Sequence, residues 1–110
     1  MPLSKKARIE VYLPDVSTPA YRDLLDALEQ EFTFTFGGCT TARGLDGNYL
    51  SHRGDRVRDR IHLVYTDTPI ALEQNLTILE NYVDALRRAA HDALEEETIL
   101  IVVVEVLHGA

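Results

Sequence analysis

The chain has 110 residues and a formal net charge of -7. This length is enough for one hydrophobic core, so we predict a single domain over residues 1–110. The acidic balance argues against nucleic acid and anionic membranes as partners, and no apolar run approaches the roughly 20 residues of a membrane helix. One cysteine allows no intrachain disulfide, and the N-terminal MPLSKKARIEVYL does not resemble a signal peptide. We therefore predict a cytoplasmic protein.

The first half of the chain predicts a strand, a helix and a second strand. Ile9, Val11 and Leu13 alternate with polar residues, which is typical of a strand with one buried face. Thr18 followed by proline is a helix start, and leucines at helical spacing continue the pattern to about Glu31. Phenylalanines and threonines then alternate over residues 32–36, which predicts a second strand that ends at two glycines.

The second half repeats this order. Alternation over residues 61–66 predicts a third strand with Ile61, Leu63 and Tyr65 toward the core. Thr68 and its following proline predict a second helix that runs to about Glu96, and residues 98–107 form the last strand. We predict an α+β fold, the ferredoxin-like βαββαβ sandwich: a four-stranded antiparallel sheet in the order 4-1-3-2, two helices on one face and a long loop between strands two and three. The alternative is an open α+β sheet with another strand order.

Two apolar surfaces indicate a homo-oligomer, a dimer or a higher assembly. A second helix of that length spans roughly 40 Å, whereas a six-residue strand spans about 20 Å, so its apolar stripe extends beyond the sheet unless it breaks near Asn81. The last strand, ILIVVVEVL, is apolar on both faces. We predict that its even-numbered residues face the helices: Leu100, Val102, Val104 and Val106. The odd-numbered residues then need cover from another subunit.

A possible catalytic group follows from the same assignment of faces. His62, Tyr12, Glu10 and Glu105 then project together from the open face of the sheet. A histidine beside carboxylates is a candidate general base for a small organic substrate, as in dimeric α/β barrels. The other interpretation is a polar patch inside an oligomer interface. No spacing of histidine, cysteine or acidic residues is typical of a metal site, and we predict no metal and no cofactor.

Residues 37–60 concentrate the positive charge of the chain. The segment contains five arginines and three aspartates, a local charge of +2 that leaves -9 for the remainder. The predicted ligand-binding residues are these arginines: Arg43, Arg53, Arg56, Arg58 and Arg60. Guanidinium groups suit carboxylates and phosphates, so the segment predicts an arm that binds a small anion. Alternatively, the arginines pair with Glu95–Glu97 of a neighbouring subunit. We also predict that residues 48–51 pair with residues 56–59.

The segments FTFTFGGCT, GLDGNYLS and DRIHLVYTDTP resemble those of small uncharacterised bacterial proteins of ferredoxin-like fold. In those proteins a glycine-rich segment with an aromatic residue joins strands two and three. The resemblance implies the fold and no catalytic residue. The connection between strands two and three is also similar to the signalling loop of the PII nitrogen regulators, whose nucleotide-binding pattern is absent here.

Two classes of function remain open. We predict a non-catalytic homo-oligomeric module that binds a small anion or a protein partner through the arginine-rich arm. The alternative is a cofactor-free enzyme of the dimeric α/β-barrel type that uses His62, Tyr12 and a carboxylate.

Overall fold

Four strands and two helices alternate along the part of the chain that the computed structural model describes, residues 2–94 and 99–109. In chain order they are β1 (Ser4–Pro14), α1 (Pro19–Phe36), β2 (Thr40–Leu50), β3 (Arg56–Asp67), a short 3₁₀ turn (Glu73–Asn75), α2 (Leu76–Leu94) and β4 (Leu100–His108). All strand pairs are antiparallel, in the order β2-β3-β1-β4. This is the predicted 4-1-3-2 order read from the other edge, and the ferredoxin-like class is confirmed.

The hydrophobic core lies between the sheet and the two helices. β1 is a central strand, and its residues Ala7, Ile9, Val11 and Leu13 are buried against the helices, as its alternation predicts. Leucines and one phenylalanine of α1 cover this face beside the inner positions of α2; the buried helix residues are Leu24, Leu25, Leu28, Phe32, Leu79, Ala90 and Leu94. Burial of large aliphatic and aromatic side chains of this kind stabilises by about 1.5–3 kcal/mol each.

The predicted second strand at residues 32–36 was wrong, because α1 continues to Phe36. Phe32 and Phe36 are four residues apart and lie on one side of the helix, with ring centroids 6.2 Å apart, whereas Phe34 is 86% exposed. In three alternating phenylalanines the first and the third are four residues apart, so they lie on one face of a helix. The helix ends at Gly37, which adopts the left-handed conformation and donates its N–H to the carbonyl of Thr33.

The predicted long loop between strands two and three was also wrong. Residues 40–50 and 56–67 are paired strands, and only residues 51–55 connect them. The predicted pairing within the arm is confirmed, since Asn48 lies opposite Arg58 and Leu50 opposite Arg56. Arginines and glycines have little intrinsic preference for strands, and here the cross-strand pairing decides the conformation. A bulge interrupts the ladder between Ala42 and Leu45.

The predicted faces of β3 and β4 were reversed. Val64 lies opposite Val11, so the even-numbered residues of β3 face the helices rather than the predicted Ile61, Leu63 and Tyr65. In β4, the odd-numbered Ile101 and Val103 lie opposite Val11 and Ile9 and face the helices. Alternation defines two faces but does not say which is buried, and a register change of one residue exchanges them.

The second helix is shorter than predicted. α2 begins at Leu76 and has 19 residues, which corresponds to roughly 28 Å, so its length does not indicate an oligomer. Thr68 is not a helix cap: it is buried, and both its N–H and its hydroxyl donate to the carbonyl of Ala7. The predicted helix end near Glu96 and the acidic residues 95–97 lie outside the described residues.

Candidate functional site

One face of the sheet has no helix over it within the described chain. We call it the open face, and it is formed by the even-numbered residues of β1 and β4 and the odd-numbered residues of β3, since these lie opposite one another. Its apolar part includes Ile61, Leu63, Leu100, Val102, Val104 and Val106. These side chains are half-buried, except for Leu100, which is 59% exposed. β4 thus places a row of valines beside the polar side of β1.

The polar part of the open face is linked by hydrogen bonds. Arg8 donates from Nε and Nη2 to the two carboxylate oxygens of Asp67 at 2.6 and 3.0 Å, and its guanidinium lies 4.4 Å from the ring centroid of Tyr65. The ring of His108 contacts the same carboxylate at 2.6 Å. The hydrogen bonds from Arg8 and then from His108 hold the pKa of Asp67 below its ordinary value, against the opposing effect of burial. Arg8 and Asp67 therefore form an ion pair with no net charge on the open face.

The four predicted catalytic residues do not come together. Tyr12 and Glu10 lie on the open face, where the Tyr12 hydroxyl donates to Glu10 at 3.0 Å, and burial followed by this hydrogen bond raises the pKa of Tyr12. His62 lies opposite Leu13 and Glu105 opposite Ala7, so both are on the helix side of the sheet. The expectation of one shared face was wrong, because it depended on the reversed faces of β3 and β4.

His62 instead connects three segments. Its Nδ1 atom accepts the N–H of Gly44 at 3.0 Å, and its Nε2 atom lies 3.0 Å from Oδ1 of Asp15. A nitrogen that accepts an N–H carries no proton itself, so this geometry fixes the neutral tautomer with the proton on Nε2. Arg60 completes the group, with Nε 3.9 Å from Asp15 and Nη2 3.4 Å from the Gly44 carbonyl. Both ring nitrogens are engaged, and His62 holds the bulge of β2 against the turn after β1.

Sequence reasoning missed Asp15 as a site residue. It follows β1 directly, and its N–H donates to the Arg60 carbonyl at 2.8 Å, which continues the β1–β3 ladder by one bond. The only sequence signal is an acidic residue at the end of a predicted strand, and that pattern does not specify a partner. The pairing with His62 depends on the strand register.

The predicted anion-binding arginines divide into four groups. Arg56 and Arg58 are adjacent on the helix side of β3, beside Asp46 and Asn48 of β2, and they form no ion pair with the described residues. Arg53 lies in the connecting turn of residues 51–55. Arg60 belongs to the His62 group described above.

Arg43 lies at the bulge and beside a cavity. Its Nη2 atom is 3.7 Å from Glu29, and its side chain is 59% exposed. The cavity has a volume of about 200 Å³ and lies between the turn after β1, the start of α1 and the bulge of β2. We call it the β1–α1 cavity; its lining includes Leu13, Asp15, Arg22, Leu25, Arg43 and His62.

Among residues 2–94 and 99–109, no group of three or more histidine, cysteine, aspartate or glutamate side chains is arranged to hold a metal ion. Neither helix in these ranges combines the length and the apolar character that crossing a membrane requires.

Comparison with known proteins gives likeness in structure only. No family model matches the chain, and no curated protein matches its sequence. The crystal structure of CutA1 from Oryza sativa is similar, with a TM-score of 0.61 and 16% identity over 98% of this chain and 85% of that one. A divalent cation tolerance protein (CutA1) from Thermus thermophilus has a TM-score of 0.53 and 20% identity over 97% of this chain and 88% of its own. At these identities the likeness shows the fold, and the chain has a CutA1-like fold.

Proposed function

We propose that the protein is a non-catalytic homo-oligomeric module that assembles through its open face. The observation that carries the proposal is the valine row of β4, which lies on a sheet face without a helix over it in the described chain. An antiparallel sheet with one face in water normally alternates apolar and polar residues, whereas Ile101 and Val103 face the helices and Val102 and Val104 face outward. A second apolar face favours burial against another protein surface.

A further copy of the same chain suits this face. The face combines an apolar row with the ion pair of Arg8 and Asp67, which leaves no net charge to bury at that point. A self-associating surface of this kind needs no complementary charge from another protein. The CutA1-like fold is consistent with a non-catalytic module.

The arm is the proposed binding site for a small anion. Arg56 and Arg58 point to the same side of β3, two residues apart, and neither forms an ion pair with a described carboxylate. Neighbouring guanidiniums favour a small anion such as phosphate, which has oxygens for both of them. Asp46 on the same side reduces the local positive charge, so the arm favours an anion that contacts both arginines at once.

The residues of the enzyme alternative lie on opposite faces of the sheet. His62 lies on the helix side of the sheet with both ring nitrogens engaged, whereas Tyr12 and Glu10 lie on the opposite face. No described observation favours the enzyme alternative over the binding module.

Assembly is tested with a single charge on the open face. Val102→Asp places an unpaired carboxylate in the proposed interface, and we expect it to shift the protein to monomers at micromolar concentration by light scattering. Phe34→Asp is the matched control, because Phe34 is 86% exposed on α1, and we expect it to leave the assembly unchanged. A folded wild-type monomer under the same conditions would contradict the proposal, and so would an unchanged oligomer of Val102→Asp.

A further inference from the structure

The β1–α1 cavity brings two loosely held guanidiniums to one opening. Arg22 is exposed in the first turns of α1 and forms no ion pair with any described residue. Arg43 reaches the opening from β2, and its nearest carboxylate, Glu29, lies 3.7 Å away and already accepts a hydrogen bond from the Thr41 hydroxyl. Arg22 is therefore available to a ligand, and Arg43 becomes available with the loss of one long, exposed ion pair.

The inner wall of the cavity is apolar. Leu13 and Leu25 line it and are 1% and 6% exposed. Pro14 and Val16 continue this surface toward the opening. A concave site with an apolar wall and a few convergent polar groups is the usual form of a small-molecule site. It favours a ligand that has an apolar body as well as a charged end.

The charged groups beside the cavity determine which ligand charge it favours. Asp15 lines the cavity, and its carboxylate is held by His62 at 3.0 Å and by Arg60 at 3.9 Å, so its negative charge is only partly compensated. A fixed carboxylate repels a dianion more strongly than a monoanion. The first turn of α1 contains no acidic residue, which leaves the positive end of the helix dipole uncompensated beside the opening. The net effect is a site for a single negative charge.

His62 forms part of the wall and does not act as a ligand. Its Nδ1 lone pair is occupied by the Gly44 N–H, and its Nε2 atom is directed at Asp15. The groups that contact the ligand are therefore the two arginines and the apolar wall.

From these contacts we infer that the β1–α1 cavity binds a small organic monocarboxylate with an apolar body. The carboxylate is held by Arg22 and Arg43, and the body lies against Leu13 and Leu25. Arg43 belongs to both the arm and this site, but the arm arginines Arg56 and Arg58 do not line the cavity.

Benzoate is the probe, with calorimetric titration of the full chain as the measurement. We expect saturable binding of one benzoate per chain, and roughly tenfold or greater weakening by the double variant Arg22→Ala/Arg43→Ala, since hydrogen bonds to charged groups contribute most of the affinity. Arg87→Ala/Arg88→Ala removes the same charge from the exposed side of α2 and should leave the dissociation constant unchanged. Benzamide, which has the same body without the charge, should bind at least about tenfold more weakly.

A second variant tests the cavity itself. Val16→Trp fills the opening and keeps both arginines, so a folded Val16→Trp protein should lose benzoate binding. The inference is overturned by an absence of saturable benzoate binding, by equal weakening in the two double variants, or by intact binding in folded Val16→Trp. Tighter binding of phosphate than of benzoate would overturn the assignment to monocarboxylates. Because the test uses separate arginine pairs, its failure leaves the proposal for the arm and the open face untouched.

Discussion

The imidazole of His62 accepts the backbone N–H of Gly44 at 3.0 Å and so fixes the bulge where the arm leaves the sheet. Gly44 has a positive φ of 64°, and its carbonyl accepts a bond from Arg60 at 3.4 Å. One side chain of β3 therefore satisfies an N–H that the ladder leaves unpaired at the bulge.

Replacing His62 should loosen the bulge. His62→Ala leaves the Gly44 N–H and the Asp15 carboxylate without this partner in a half-buried position, and we expect a loss of about 1–2 kcal/mol in unfolding free energy. Hydrogen exchange at Gly44 should accelerate more than exchange at the amides of β1. His52→Ala is the control, because His52 is exposed in the turn. Unchanged protection of Gly44 in His62→Ala would show that the bond does not hold the bulge.

Gly44 should resist substitution for two separable reasons. An added Cβ would lie 2.6 Å from Nη2 of Arg60, and the positive φ disfavours any side chain. We expect Gly44→Ala to destabilise the fold by about 1–3 kcal/mol in urea unfolding at fixed protein concentration. Gly54→Ala shares a positive φ of 85° but meets no atom within 4 Å, so it should cost less.

Gly38→Ala is the control for both glycine variants. It has neither a positive φ nor an atom within 4 Å of the added Cβ, and it should be close to neutral. An equal loss for all three variants would contradict the role assigned to the bulge.

The contact between α1 and α2 should make the free energy of unfolding depend on pH in the acid range. The Tyr82 hydroxyl donates to Glu31 at 2.6 Å, and this bond, followed by that from Thr35, lowers the pKa of Glu31. A folded-state pKa below the ordinary value of 4.5 means that the stabilisation is present above that pH and is lost as the pH falls through the folded-state pKa. Tyr82→Phe should therefore cost about 0.5–1 kcal/mol at neutral pH and less under acid conditions.

Unfolding in urea between pH 7 and pH 3 measures this difference. Tyr49→Phe is the control, because Tyr49 is 55% exposed on the arm, and it should have no effect at either pH. A cost of Tyr82→Phe that stays constant with pH would contradict the role of the bond to Glu31, because the variant keeps the ring that packs against Phe36 at a centroid distance of 5.3 Å.

The arm should respond to anions through Arg56 and Arg58. If the arm binds phosphate, added phosphate raises the melting temperature of the wild type by mass action, and sodium chloride reduces the gain by screening. Arg56→Ala/Arg58→Ala should lose most of this gain, whereas Arg87→Ala/Arg88→Ala, on the exposed side of α2, should retain it. A gain of equal size in both variants would indicate a general salt effect.

Local patterns of the sequence determined the order of the elements and their topology, but not the position of β2 or the start of α2. The alternation of Ile9, Val11 and Leu13 and the Thr18 helix start describe β1 and the beginning of α1 correctly. The order of the elements was sufficient to predict the strand order, because short connections leave few arrangements of a βαββαβ chain. The concentration of arginine in residues 37–60 was likewise readable, and two of those arginines share a side of the arm.

Tertiary structure alone decided the faces and the contacts. The alternation in β3 and β4 has two phases, and only the pairing of Val64 and Ile101 with Val11 selects the buried one. In this register His62 lies on the opposite face of the sheet from Tyr12 and beside Asp15, which is distant in the sequence. The helical packing of Phe32 and Phe36 likewise overrode their alternation with threonine. Local sequence patterns specify which residues share a face of a strand or helix. The candidate site depends on the pairing of strands that are distant in the sequence, and local patterns do not specify that pairing.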